Sequence, residues 1–188
     1  MEKRILYFEK GGPENTDAVL AAAKERAAEL GIKDILAAST HGGTGLKAAK
    51  VFKPKEYNLV AVTICEGFSS EGWAMTREER ARLEKEGVKV LTCTHALGDD
   101  VSSAFTEKYG GKAPNEIVTQ TLYRLCQGMK VCVEIVLMAA DAGLIPVDRE
   151  VIAIAGTGEG ADTAIVAKPA YPRKFLDLAI KEIIAKPR

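Results

Sequence analysis

The sequence predicts an α/β fold of three layers, in which a mostly parallel β-sheet carries helices on both faces. Short runs rich in Ile, Val and Leu recur along the chain, and each is apolar at consecutive positions rather than alternate ones. This pattern is typical of strands that are covered on both faces. Helical patterns separate most of the runs, as in folds built from β-α-β units. We therefore expect one α/β domain over residues 1–188, with strands at 5–8, 35–38, 59–64, 88–91, 151–155 and 164–167.

The helical segments carry recognisable start and stop signals. Thr16 can cap a helix that Gly31 closes, because glycine readily adopts the left-handed conformation that ends helices. Thr76-Arg77-Glu78-Glu79 has the spacing of a capping box for a helix that ends near Gly87. Pro114 suits the first position of a further helix. The predicted buried face of that helix consists of Ile117, Leu122, Leu125 and Met129.

Two further segments are assigned as helices. Residues 131–144 begin with β-branched residues that suit a strand, but their length and their end at Ala142-Gly143 favour a buried helix. Pro172 precedes a predicted final helix, in which Phe175, Leu176, Leu178, Ala179 and Ile183 are apolar. Residues 66–75 and much of 94–113 are predicted loops, and loops of that length usually carry function or mobility.

Composition excludes several functional classes. Lys and Arg number 26, as do Asp and Glu, so the charge balance predicts no binding to nucleic acid or to a membrane surface. No signal-peptide pattern opens the chain, and the most apolar stretch, 131–140, contains Glu134 and is too short to span a bilayer, so we expect a cytoplasmic protein. The four cysteines show no metal-binding spacing, which predicts free thiols and no metal site.

The most informative motif is Ser39-Thr40-His41-Gly42-Gly43-Thr44-Gly45, which follows a predicted strand and leads into a helical pattern. Glycines let backbone N–H groups approach an anion closely, and hydroxyl groups add further donors. The start of a helix also carries partial positive charge. The motif lacks the Gly-Lys-Ser/Thr ending of a Walker loop, which disfavours a nucleotide triphosphatase. We expect this loop to bind the phosphate of a small molecule.

A second glycine-rich loop, Gly156-Thr157-Gly158-Glu159-Gly160-Ala161, formally matches the dinucleotide-binding fingerprint. That fingerprint requires a helix to follow, whereas Thr163-Ala164-Ile165-Val166 is a strand-like run. The loop therefore joins two neighbouring strands, with an antiparallel pair as one arrangement. It is either a simple turn or a second lip over the anion that the first loop holds.

Residues 15–63 resemble the C-terminal domain of pyruvate kinase. Residues 35–45 are similar to its strand and phosphate loop, and Phe52-Lys53-Pro54-Lys55 with the strand that follows is similar to the next segment. Residues 133–166 also resemble that domain, in the helix ending Ala142-Gly143-Leu144 and in the second glycine-rich loop. Pyruvate kinase catalysis resides in a separate barrel domain that the chain lacks, so we expect no pyruvate kinase activity.

The whole chain resembles a family of stand-alone archaeal and bacterial proteins with this fold, whose members hold flavin mononucleotide (FMN). The resemblance implies FMN as cofactor and a flavin-dependent oxidoreductase if the protein is an enzyme. A non-catalytic sugar-phosphate sensor is the alternative, and a homo-oligomer is also suggested. The implied phosphate contacts are Ser39, Thr40, Gly42, Gly43 and Thr44, with Gly156, Gly158 and Thr163 opposite. By position alone, the ring system would lie beyond Thr63, towards Cys65, Glu66, Gly67 and Phe68.

Several single residues keep two interpretations. His41 either donates to the ligand or merely lines its loop, and His95 lies in a loop that could reach the same edge. Trp73 either covers a flat ring or packs within its loop. Cys65 is redox active beside a flavin or is an inert buried thiol. One of Asp99 and Asp100 caps a helix near Val101 or the two bind a cation, and Asp162 is interpreted as a turn former. No nucleophile–base arrangement is recognisable.

Overall fold

The computed structural model describes residues 2–188, which form a seven-stranded sheet with helices on both faces. The strand order across the sheet is β1-β7-β6-β5-β2-β3-β4. The strands are β1 (Leu6–Phe8), β2 (Asp34–Ala38), β3 (Asn58–Val62), β4 (Lys89–Leu91), β5 (Val151–Ala155), β6 (Thr163–Lys168) and β7 (Ala179–Pro187). All the strands predicted from apolar runs are confirmed, with small shifts of their ends.

The sheet is mostly parallel. Strand β2 pairs in parallel with β3 on one side and with β5 on the other, and β4 extends this group beside β3. Strand β6 is antiparallel to β5, with Ala155 opposite Thr163, and β7 is antiparallel to β6. The predicted antiparallel arrangement of the last strands is therefore confirmed. Because β2, β3 and β5 run in the same direction, their carboxyl ends meet at one edge of the sheet.

Helices cover both faces of the sheet, which confirms the predicted three layers. They are α1 (Thr16–Leu30), α2 (Gly43–Val51), α3 (Arg77–Lys85), α4 (Val101–Tyr109), α5 (Pro114–Tyr123) and α6 (Gln127–Asp141). Residues of α1, α2 and α3 share one buried cluster with Ile35, whereas α5 and α6 share the other with Leu36. Neighbouring residues of β2 thus face opposite layers, as the alternation of side chains along a strand requires.

The predicted final helix is wrong. After Pro172 the chain forms a 3₁₀ helix, Pro172–Asp177, and then strand β7. This strand occupies the position between β1 and β6, and its neighbouring residues Ile183 and Ile184 pack on opposite faces of the sheet. The apolar spacing allows either element, but only a strand can supply hydrogen bonds to both neighbours.

The predicted buried face of the helix that starts at Pro114 is also wrong in part. The helix ends at Tyr123, and a new helix begins at Gln127, so Met129 belongs to α6. Ile117 and Leu125 are 60% and 46% exposed, whereas Leu122 packs against the core as predicted. Periodicity alone places these residues on one face only if the helix continues without a break.

The local signals give mixed outcomes. The capping box of Thr76 and Glu79 is formed, and Gly31 closes α1 with φ of 69°. Asp100 caps α4, which confirms the capping interpretation for this aspartate pair. Thr16, however, is the first residue of α1 rather than its cap, and its hydroxyl donates to the carbonyl of Pro13 at 2.7 Å. The predicted loop at 66–75 contains a 3₁₀ helix, Glu66–Glu71.

Three further properties of residues 2–188 concern membrane spans, metal sites and cysteines. No helix within residues 2–188 combines the length and the apolar character needed to cross a membrane. Over the same residues, no group of three or more His, Cys, Asp or Glu side chains is arranged to hold a metal ion. All four cysteines are free, with Cys65 and Cys132 buried.

Candidate functional site

A cavity of about 630 Å³ opens at the edge of the sheet where β2, β3 and β5 end. Its floor includes Ala38, Val62 and Gly156, which lie at or just beyond these three strand ends. The carboxyl edge of parallel strands is where α/β proteins bind their ligands. The volume lies within the roughly 300–1,000 Å³ range of small-molecule sites. This cavity is the candidate site.

One wall is the loop between β2 and α2. Gly42 caps α2 with φ of 85°, and glycine adopts this left-handed backbone conformation without strain. The hydroxyl of Ser39 accepts the N–H of Gly45 at 2.9 Å. Within residues 2–188 the N–H groups of Gly43 and Thr44 have no acceptor, and both residues line the cavity. The loop thus presents two free backbone donors at the start of a helix, which is the chemistry that binds anions.

The opposite wall is the loop between β5 and β6, and Asp162 holds it in place. This aspartate is fully buried, and its carboxylate accepts the N–H groups of Gly12 at 3.1 Å and Thr157 at 2.9 Å. It also accepts the hydroxyl of Thr163 at 2.7 Å. Because these hydrogen bonds tie the Asp162 carboxylate to its own loop and to the segment before α1, Asp162 anchors the loop. Its interpretation as a turn former fits these contacts.

The starts of three helices meet at this cavity. Thr16 of α1, Gly43 and Thr44 of α2, and Gln127 of α6 all line it. Each helix start carries partial positive charge, so together they favour an anionic ligand. Lys47 adds a full charge on the same wall as α2, although its ammonium also pairs with Asp17 at 3.0 Å on the surface.

Helix α6 supplies the wall on the other face of the sheet. Lys130 and Glu134 both line the cavity and form a buried ion pair, with 2.5 Å between Nζ and Oε2. The other carboxylate oxygen of Glu134 accepts the N–H of Leu97 at 3.0 Å. Ile135 and Met138 continue this wall with apolar surface. The cavity is therefore charged near the start of α6 and apolar further along the helix.

An aromatic stack borders the cavity near the end of β3. The ring centroids of Phe68 and Trp73 lie 5.5 Å apart, and the two rings are nearly parallel. The imidazole of His95 also stacks with Phe68, with its centroid 6.2 Å from that of Phe68 and an angle of 27° between the two ring planes. Phe68 and His95 line the cavity, whereas Trp73 is half exposed. Aromatic side chains in this part of the lining suit a ligand that carries a planar ring.

His95 is fixed by hydrogen bonds at both ring nitrogens. Nε2 accepts the N–H of Cys65 at 3.2 Å, so the proton sits on Nδ1, which donates to Asp99 at 2.6 Å. Asp99 is the one non-glycine residue within 2–188 with a positive φ, 54°, a strained conformation of the kind found at functional sites. Since both nitrogens are engaged, His95 is a positioned wall residue rather than a free general base.

His41 points towards α3 although it lines the cavity. Its Nδ1 lies 3.3 Å from the carboxylate of Glu79, and its side chain is half exposed. The backbone N–H of Thr76 lowers the pKa of Glu79, and the contact with His41 lowers it further, against an opposing effect of burial. Glu79 is therefore ionised near neutral pH and holds the imidazole at the cavity rim.

The predicted site residues separate into two groups. Those that line the cavity are Ser39, Thr40, His41, Gly43, Thr44, Thr63, Phe68, Gly156 and Gly158. The others do not line it. Gly42 caps α2, Gly45 packs against Leu83, and Thr157 and Thr163 bond to Asp162. Cys65, Glu66 and Gly67 adjoin Phe68 without lining the cavity.

Sequence reasoning missed several wall residues. Lys130 and Glu134 lie four residues apart within an otherwise apolar helix, and that buried pair of charges was a signal in itself. Lys47 stands four residues after Gly43 on the first turns of α2. Pro13 and Thr16 reach the cavity only because Asp162 draws the segment before α1 against the second glycine-rich loop, which no local pattern predicts.

Comparison with known proteins identifies related sequences. The family model described as pyruvate kinase, alpha/beta domain, matches residues 17–167. Among solved structures, the chain is similar to Cryptosporidium parvum pyruvate kinase in complex with ADP, at 17% identity and a TM-score of 0.39. That match covers 80% of this chain and 22% of the pyruvate kinase chain. The chain thus spans a minor part of the length of that enzyme.

Proposed function

The chain belongs to the pyruvate kinase alpha/beta domain family, and from this premise we propose that it binds a phosphorylated small molecule, FMN, in the cavity at the carboxyl edge of the sheet. One observation carries the proposal. The N–H groups of Gly43 and Thr44, free of acceptors within residues 2–188, stand at the start of α2 on the wall of a cavity much larger than a phosphate.

The phosphate end is supported by the loop between β2 and α2. Ser39 takes up the N–H of Gly45, which leaves the two earlier N–H groups available to phosphate oxygens. The hydroxyl of Thr44 and the ammonium of Lys47 add donors on the same wall. Gly158 faces them from the second glycine-rich loop without a side chain that would fill the space.

The ring end is supported by the rest of the cavity. Phe68 and His95 line the cavity with aromatic rings, and Ile135 and Met138 offer apolar contact. A tricyclic ring needs both, because planar aromatic ligands gain from stacking and from removal of apolar surface from water. When bound, FMN supplies hydride and electron transfer, and the role of these residues is to hold and orient it.

The proposal is tested by titrating the purified protein with FMN and measuring quenching of flavin fluorescence and the thermal midpoint. We expect saturable quenching and a raised midpoint. Gly43→Leu covers the free N–H groups, and an added Cβ there meets no atom within 4 Å, so the fold tolerates it. Thr44→Val removes one hydroxyl donor. Each change lowers FMN affinity about tenfold or more, because charge-assisted hydrogen bonds are lost.

Gly98→Ala is a matched control, because its new Cβ meets no atom within 4 Å and Gly98 does not line the cavity. It should bind FMN like the unaltered protein. Absence of both quenching and a thermal shift at millimolar FMN would refute the proposal. Equal affinity of the Gly43→Leu variant would refute the assignment of the phosphate loop.

A sugar-phosphate sensor without catalysis is the second candidate, and the distribution of charge favours it. Lys47 and Lys130 lie on walls formed by helices of opposite faces, so the cavity could hold a ligand with a phosphate at each end. This candidate predicts a larger thermal shift with a hexose bisphosphate than with FMN, and no reduction of redox dyes by the protein with either ligand.

A further inference from the structure

The ion pair of Lys130 and Glu134 stands out within α6. Lys130 is 8% exposed and Glu134 is 4% exposed, whereas the surrounding residues of this helix are buried and apolar. Taking two charges out of water costs more than their attraction usually returns, and an apolar pair of similar volume often stabilises a fold as well or better. A stability argument therefore does not explain why charges line this wall.

The contacts of the pair are unequal. Both carboxylate oxygens of Glu134 are used, one by the ammonium of Lys130 and one by the N–H of Leu97. An ammonium has three donors, and Glu134 accepts one of them. Within residues 2–188 no other group accepts from Lys130, and the residue lines the cavity. A nearly buried cation thus offers unused donors to whatever fills the cavity.

The position of Lys130 relative to the phosphate loop is equally informative. Helix α2 belongs to the layer on one face of the sheet, and α6 belongs to the layer on the other. Lys130 therefore approaches the cavity from the side opposite Gly43 and Thr44. A ligand that contacts both must extend across the sheet edge, so Lys130 meets a part of the ligand other than the phosphate that Gly43 and Thr44 hold.

We infer that Lys130 is a specificity-determining residue, whose ammonium donates hydrogen bonds to an oxygen on the non-phosphate end of the ligand. Glu134 is the positioning residue that holds the ammonium in place. For FMN the accepting oxygens are the ring carbonyls. This inference rests on the proposed function. It explains the buried ion pair as a means of selecting ligands that carry a hydrogen-bond acceptor at their non-phosphate end. A ligand without that acceptor would leave the buried ammonium of Lys130 unsatisfied.

The test compares three ligands, FMN, riboflavin and inorganic phosphate, by calorimetric titration. Riboflavin carries the ring system without the phosphate. The variant Lys130→Met, Glu134→Gln replaces the ion pair with neutral groups of similar size and keeps an acceptor for Leu97. We expect it to weaken FMN and riboflavin by the same factor, about tenfold to hundredfold, and to leave phosphate binding unchanged. Thr44→Val is the matched opposite, weakening FMN and phosphate but leaving riboflavin unchanged.

The outcomes are distinguishable. A purely structural role for Lys130 would weaken all three ligands together, or would leave FMN and riboflavin within twofold of the unaltered protein, and either result overturns the inference. Lys130→Arg keeps a cation beside Glu134 and should hold flavin affinity well above that of the double variant. If the double variant fails to fold, Lys130→Arg still tests the inference, because its larger planar head group moves the donors and should weaken FMN and riboflavin by the same factor while leaving phosphate binding unchanged. If the unaltered protein binds phosphate but neither flavin, the proposed FMN function fails, and this inference fails with it.

Discussion

The carboxylate of Asp162 accepts the backbone N–H of Gly12 at 3.1 Å, although 150 positions separate the two residues in the sequence. This hydrogen bond holds the segment before α1 against the loop between β5 and β6. Pro13 and Thr16 on one side, and Gly158 and Gly160 on the other, become parts of one cavity wall as a result.

Replacement of this carboxylate should destabilise the protein strongly. Asp162→Ala leaves the N–H groups of Gly12 and Thr157 without their acceptor inside the protein. We expect the free energy of unfolding in urea to fall by about 3 kcal/mol, since each buried unsatisfied donor costs roughly 1–3 kcal/mol. Asp148→Ala at an exposed position is the control and should change it little. Similar unfolding curves for the two variants would contradict the anchoring role.

Gly160 should tolerate no side chain. Its φ is 70°, and an added Cβ would lie 2.5 Å from the Cα of Pro13. Gly160→Ala combines backbone strain with a clash against main-chain atoms, so we expect a loss of about 2 kcal/mol, measured by urea unfolding. Gly98→Ala, where neither condition holds, should be nearly neutral. A neutral Gly160→Ala would show that the two loops are not in close contact.

A bidentate ion pair ties α1 to the last strand and should make stability depend on acid pH. Arg26 donates to both carboxylate oxygens of Glu182, with Nε 2.6 Å from Oε2, and this lowers the pKa of Glu182 from its ordinary value of 4.5. A lowered folded-state pKa means that the stabilisation is complete above pH 4.5. It is lost as pH falls through the folded-state pKa.

Glu182→Gln should therefore lower the free energy of unfolding by about 1 kcal/mol at pH 7, the scale of a partly exposed charge-assisted pair. The difference from the unaltered protein should shrink as pH falls below 4.5 and through the folded-state pKa of Glu182, because the carboxylate then becomes protonated in folded and unfolded chains alike. Urea unfolding at pH 7 and at a series of acid pH values measures this. A difference that stays constant or grows on acidification would contradict the assigned ion pair.

Thiol reactivity should differ among the four cysteines. Burial raises the pKa of the Cys132 thiol well above its ordinary value, and the side chain is inaccessible. Cys126 is partly exposed. Because the thiolate is the reactive form, iodoacetamide at pH 8 should modify Cys126 long before Cys132 in the native protein, and both equally in denaturant. Peptide mass spectrometry reads out each site, and early modification of Cys132 would contradict its burial.

The features that the sequence predicted correctly depend on local interactions. The capping box of Thr76 and Glu79 and the left-handed Gly31 involve residues within a few positions of each other. The runs that became β2, β3 and β5 are apolar at consecutive positions, so both faces of each strand favour burial whichever elements pack on them. The strand–loop–helix arrangement around Ser39 and Gly43 follows from the same local rules.

Only the tertiary structure decided the rest, because the deciding contacts lie far apart along the chain. Residues 179–187 became a strand rather than a helix because β1 and β6 provide hydrogen-bonding partners on both sides. Lys130 joined the candidate site because α6 packs on the face opposite α2, and the sequence shows a pair of charges in an apolar helix without showing what they face. By itself, the sequence determined the layers and the strand–loop–helix arrangement around Ser39 and Gly43, whereas long-range packing assembled the cavity around that loop.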